Sequence, residues 1–105
     1  MGRLRHPLTP SLAKIAEGLG QRIELARCRR DLSATLFAER VGIDPKTLAR
    51  LEAGDASVSL GSYLKALRVL RLEDDLVQVA ANDILGQKLQ DASALRSRGR
   101  KTDGV

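Results

Sequence analysis

Apolar residues recur along this chain at spacings of three and four, and nowhere do they alternate with polar ones over a strand's length. That period belongs to helices with one buried stripe. The first stripe is Leu12, Ile15, Ala16, Leu19, Ile23 and Ala26. Thr9-Pro10 opens it with a capping hydroxyl and a proline at the first helical position. Gly18 and Gly20 interrupt the stripe, which predicts a short helix followed by a longer one from about Leu19 to Arg30.

Ser33 is the next capping residue. The helix behind it buries Leu36 or Phe37, with Ala38 and Val41, and ends before Gly42. Asp44-Pro45 repeats the cap-then-proline signal. A short helix follows, with Thr47, Leu48 and Leu51 facing inward, and it stops at Gly54. After a loop, Ser59 caps a helix whose apolar positions are Leu60, Tyr63, Leu64, Leu67 and Leu70. Glu73, Asp74 and Asp75 favour the positive end of a further helix with Leu76, Val77, Val79 and Ala80 on its apolar face. Asp83 caps a last amphipathic helix carrying Leu85, Leu89 and Ala92. The expected fold is all-α, five to six short helices in one small domain.

Composition narrows this further. With 105 residues there is room for one domain, and with Phe37 and Tyr63 as the only aromatics its core must be aliphatic. Few aromatics also means few platforms for stacking single-stranded bases, which favours duplex DNA over RNA among anionic partners. Cys28 has no partner for a disulfide, as expected of a reducing cytoplasm. Its neighbours Arg27 and Arg29 can lower a thiol pKa, so a redox switch stands beside a buried or inert thiol as its reading. No apolar window approaches the roughly eighteen residues of a membrane span. The basic start, Met1 to His6, has no apolar stretch behind it, which argues against a secretory signal.

The net charge of +5 is unevenly distributed. Residues 1–18, 19–54 and 91–105 each carry +2, whereas 55–90 carry −1. The expected organisation is a disordered arm over 1–8, a folded region over 9–95 and a disordered basic tail over 96–105. The tail is either a phosphate-seeking arm or simply solvated. His6 is alone and lacks the converging ligands a metal needs. No nucleophile–base set, phosphate-binding glycine loop or metal spacing is present, so neither an enzyme nor a cofactor is expected.

The specific signal lies between Ser33 and Gly54. Two short capped helices flank Gly42, Ile43 plugs the turn, and Ala38 is small where the helices would cross. This is the pattern of a helix-turn-helix, whose second helix enters the DNA major groove. A plain αα-corner uses the same turn residues.

The run from Leu19 to Arg27, followed by Ser33 through Gly54, resembles the DNA-binding domain of the Cro and phage-repressor (Xre) family. The resemblance extends over about residues 19–80. Gly54 to Leu67, with Asp83-Ile84-Leu85-Gly86 and Leu89-Gln90-Asp91, is similar to HipB-type antitoxins, encoded beside HipA-type serine/threonine kinase toxins. The resemblance implies a five-helix, lambda-repressor-like domain with a short C-terminal helix, bound as a homodimer to a palindromic operator.

It also implies roles for individual residues. Asp44, Pro45, Lys46 and Arg50 fall where the recognition helix meets base edges, and Arg50 is suited to a bidentate contact with guanine. Thr47 falls at a backbone-directed position. Ser33 and Thr35 open the first helix of the motif, where hydroxyls and backbone N–H groups hold a phosphate. Arg27 and Glu52 fall at positions paired as a structural ion pair. Two residues depart from the pattern: Ala34 replaces a frequent Gln, and Asp44 replaces Ser or Thr.

The function implied is a cytoplasmic, sequence-specific DNA-binding regulator: an antitoxin that represses its own operon and presents its outer face to a kinase toxin. A stand-alone repressor is the alternative, as is a kinase-binding module with little DNA affinity, for which Ala34 and Asp44 are the reasons.

Overall fold

The computed structural model describes residues 7–100, with side chains through Arg96. Among the described residues there are six helices and no strand: α1 (Pro10–Arg29), α2 (Ala34–Val41), α3 (Pro45–Glu52), α4 (Leu60–Leu70), α5 (Asp74–Val77) and α6 (Ile84–Arg100). None is long and apolar enough to cross a membrane. The chain forms two compact units that meet in sequence between Glu73 and Asp74.

The first unit contains α1 to α4. Its caps are local, and each is used. Thr9, Ser33, Asp44 and Ser59 accept hydrogen bonds from the backbone N–H of Leu12, Leu36, Thr47 and Ser62, so the first turn of each helix loses an orphan donor. Gly42 ends α2 in the left-handed region, at φ +87°, and its N–H bonds the Ala38 carbonyl. The α2–α3 turn is Gly42, Ile43 and Asp44.

Helices α1 and α2 each pack on both α3 and α4. The core they enclose is Ile23 and Ala26 from α1, Phe37, Ala38 and Val41 from α2, Leu48 and Leu51 from α3, and Tyr63, Ala66, Leu67 and Leu70 from α4, with Val58 from the loop. Phe37, not Leu36, is the buried choice, and Ala38 occupies the tight position its size suits.

Three expectations fail here for physical reasons. The glycines do not break α1, which is one helix of 20 residues. Gly20 is buried against the end of α3, where it provides close approach instead of a break. The stripe's first half is not core: Leu12 and Ile15 are exposed because α1 packs on its neighbours only from its middle onward. On α4, Leu60 and Leu64 face solvent, and the inward stripe runs through Tyr63, Ala66, Leu67 and Leu70.

In the second unit, α5 is a four-residue turn. Val79 and Ala80 lie beyond it, and Ala80 adopts φ +62°, so the expected apolar face does not form as a helix. Asp83 caps α6 by accepting from Gly86 N–H at 2.9 Å. The helix continues to Arg100, past the tail boundary expected at residue 96. Val77, Val79, Ile84, Leu85, Leu89 and Leu95 are all exposed. The first six residues, with His6 and most of the expected arm, and the tail from Lys101 onward lie outside the described residues.

Candidate nucleic-acid interface

Helix α3 is held from behind and open in front. Leu48 and Leu51 anchor it in the core, and Thr47 is half-buried beside them. Pro45, Lys46, Ala49, Arg50 and Ala53 are exposed. Lys46, Ala49, Arg50 and Ala53 follow the three-and-four spacing of one helix face. The sequence reading placed Lys46 and Arg50 on this face but missed Ala49 and Ala53. The same spacing, counted outward from Lys46 instead of inward from Leu48, finds them.

Asp44 is committed to structure. Its Oδ1 accepts from Thr47 N–H at 2.7 Å, and that bond holds its carboxyl below its usual pKa. The departure from Ser or Thr at this position is therefore a helix cap of the same kind. At the start of α2, Ser33 is likewise a cap, accepting from Leu36 N–H at 3.1 Å, and Ala34 and Thr35 are exposed beside it. The Ser33 hydroxyl still has its proton to donate.

One guanidinium ties the two helices of the motif to α1. Arg27 donates from Nε and Nη2 to the two Glu52 carboxylate oxygens, at 2.8 and 3.2 Å, and from Nη1 to the Leu32 carbonyl at 2.9 Å. Glu52 ends α3, and Leu32 lies just before α2. The side chains are 11% and 10% exposed, so the pair is largely desolvated. Donating these hydrogen bonds to Glu52 favours the charged guanidinium and raises the Arg27 pKa above its ordinary value. The ion pair expected at these positions is present in the structure. Arg30, which caps the same end of α1, ties it to the end of α4 by donating to the Ala26 and Leu70 carbonyls.

Arg50 has partners that sequence reasoning missed. Its Nε donates to Asp55 Oδ2 at 3.0 Å and its Nη2 to Ser57 Oγ at 2.6 Å. Asp55 Oδ1 accepts from the Ser57 N–H and hydroxyl. These bonds, chiefly those from Ser57 and then Arg50, lower the Asp55 carboxyl to about 2. A carboxylate depressed in this way supports the fold above its unfolded pKa, and that support is lost only as pH falls toward about 2. Tyr63 fixes the same loop by donating its hydroxyl to the Asp55 carbonyl at 2.9 Å. The local signal was Asp55-x-Ser57, an Asx-turn pattern, but nothing in sequence tied it to Arg50.

Cys28, read either as a redox switch or as a buried or inert thiol, is exposed near the end of α1.

A family model described as a helix-turn-helix domain matches residues 18–80. The match begins within α1 and spans the stretch that resembles the Cro and phage-repressor family. No curated protein and no solved structure matches the chain.

Proposed function

Since this chain belongs to the helix-turn-helix domain family, we propose that it is a sequence-specific regulator that binds duplex DNA through α3. The observation that carries this reading is the outward face of α3. It presents Lys46 and Arg50 beside Ala49 and the C-capping Ala53, while Leu48 and Leu51 sink the opposite side into the core. A helix that enters a groove needs cations for phosphate or base edges and small side chains for close approach. The alanine methyls suit thymine methyl groups. Ser33 and Thr35, at the start of α2, hold a backbone phosphate. Pro45 and the Asp44 cap set where α3 begins, and Asp44 accepts from a cytosine amino group with the oxygen that Thr47 leaves free.

The test compares Lys46→Ala with Arg50→Ala on duplexes enriched from a randomised pool. Arg50→Ala loses about 1–3 kcal/mol and relaxes the preference at one base pair. Lys46→Ala weakens binding to all sequences alike and reduces the salt slope by about 1. Equal behaviour of both variants with wild type would contradict the reading.

A single α3 reads one half-site, so the active species is a homodimer on a palindromic operator. The uncovered apolar residues of the second unit, among them Leu85 and Leu89 of α6, supply the contact between copies. The protein acts on the nucleoid, in the cytoplasm. The similarity of Gly54–Leu67, Asp83–Gly86 and Leu89–Asp91 to HipB-type antitoxins supports the finer role: repression of its own operon and restraint of a HipA-type kinase. Co-expression with a kinase encoded next to it yields a stable complex if this holds, and free kinase if the protein is a stand-alone repressor.

A further inference from the structure

We propose that Asp55 and Ser57 are positioning residues for DNA reading: they grip one edge of the Arg50 guanidinium and leave the other edge set for a base. The inference rests on the base-reading role of Arg50 given above. A guanidinium has two edges able to make paired hydrogen bonds. The side edge is formed by Nε and Nη2, and the end edge by Nη1 and Nη2. The Arg27–Glu52 pair shows the side edge in use, with Nε and Nη2 donating to one carboxylate. In Arg50 the same two nitrogens donate to Asp55 and Ser57. Among the described residues, Nη1 of Arg50 has no partner. The end edge is therefore the fork that meets the O6 and N7 of guanine.

The grip is itself anchored. The Asp55 backbone is held by its N–H on the Arg50 carbonyl at 3.0 Å and by the Tyr63 hydroxyl on its own carbonyl. Tyr63 is buried, so the loop is fixed to the core and Arg50 to the loop. A free arginine samples many rotamers and loses that freedom on binding. Arg50 is already restrained before DNA arrives. A lysine at this position could not be gripped on one side and bidentate on the other.

Asp55→Asn is the informative variant. Its amide oxygen still accepts from Ser57, so the turn survives, but its amide nitrogen cannot accept from Arg50 Nε. Wild type, Asp55→Asn and Arg50→Ala are each selected against a pool of randomised duplexes, and the base profiles are compared. The expected result is that Asp55→Asn lowers discrimination at the guanine lost in Arg50→Ala by about tenfold. Its other positions stay as in wild type, and its melting temperature falls only modestly, because the Ser57 bonds are kept while the Arg50 bond is lost. Affinity for random duplex is unchanged or higher, since a carboxylate has been removed near phosphate. An unchanged profile in Asp55→Asn, with Arg50→Ala relaxed, overturns the inference alone. An unchanged profile in both overturns the base-reading role as well.

A DNA-free measurement separates the two further. The Arg50 Nε–H exchanges slowly with solvent in wild type and rapidly in Asp55→Asn if the grip exists. Equal, rapid exchange in both overturns it whatever the DNA result.

Discussion

Glu52→Ala is expected to destabilise the protein by about 3 kcal/mol, a fall in Tm of roughly 12–24 °C for a domain this small. The reason is what the substitution leaves behind. Arg27 keeps its charge in a site where only 11% of its side chain reaches solvent, with two of its three partner oxygens gone. A neighbouring carboxylate, Glu24, lies 4.0 Å from Nη2 but is half exposed and offers weak compensation. Arg27→Ala strands Glu52 and also removes the donor to the Leu32 carbonyl, so its loss is similar or larger. Replacing both residues with apolar ones of similar shape costs much less than the sum of the single changes. Urea denaturation of the four proteins measures each quantity. Because Arg27 joins α1 to the end of α3 and to the residues leading into α2, the single variants also weaken DNA binding without touching DNA. A variant with wild-type Tm and wild-type DNA affinity would contradict this role.

Gly20→Ala is expected to lose about 2 kcal/mol, although alanine is the better helix former by about 1 kcal/mol. A Cβ at Gly20 would sit 2.6 Å from the Glu52 carbonyl oxygen and the Gly54 nitrogen, and 2.7 Å from the Leu51 carbonyl oxygen. All three are backbone atoms, so α1 must move away from the end of α3. At Gly18 the nearest atom is the mobile end of Arg22, at 3.1 Å. Gly18→Ala is therefore neutral or stabilising by up to about 1 kcal/mol. Gly54 combines both constraints, a φ of +78° and close contact with the backbone of Ala16 and Glu17. Thermal unfolding of Gly18→Ala and Gly20→Ala side by side settles the point: equal shifts would mean that α1 and α3 do not meet at this glycine.

The two glycines also show where sequence reading reaches its limit. Both look like breaks in an apolar stripe, and only the neighbour across the interface distinguishes them. What was legible was local. A hydroxyl or carboxylate three residues before an orphan N–H gives a cap wherever it occurs, so Thr9, Ser33, Asp44 and Ser59 were readable. So was Gly42, because only a glycine takes φ +87° freely. What was not legible depended on partners. Leu60 and Leu64 match the helical period as well as Tyr63 and Leu67 do, and α1 and α2 together decide which side of α4 is covered. Leu12 and Ile15 continue a stripe beyond the helices that could bury it. Acidic residues at a helix start predicted a full helix at α5, but the dipole term is worth a few tenths of a kcal/mol and does not set length. In the candidate site, the resemblance to the Cro and phage-repressor family pointed to Lys46 and Arg50, and both lie on the exposed face of α3. The hold on Arg50 comes from a loop that folds back, and no period in the sequence encodes it.

The central claim is that α3 of two copies reads duplex DNA. Equilibrium binding of the wild-type protein to a randomised duplex pool, sequenced after enrichment and repeated across salt concentrations, tests it most directly. The account predicts two inverted half-sites about 10 base pairs apart, centre to centre. It also predicts affinity that falls steeply as salt rises. A pool that stays random after repeated enrichment, with no dependence on salt, would contradict it.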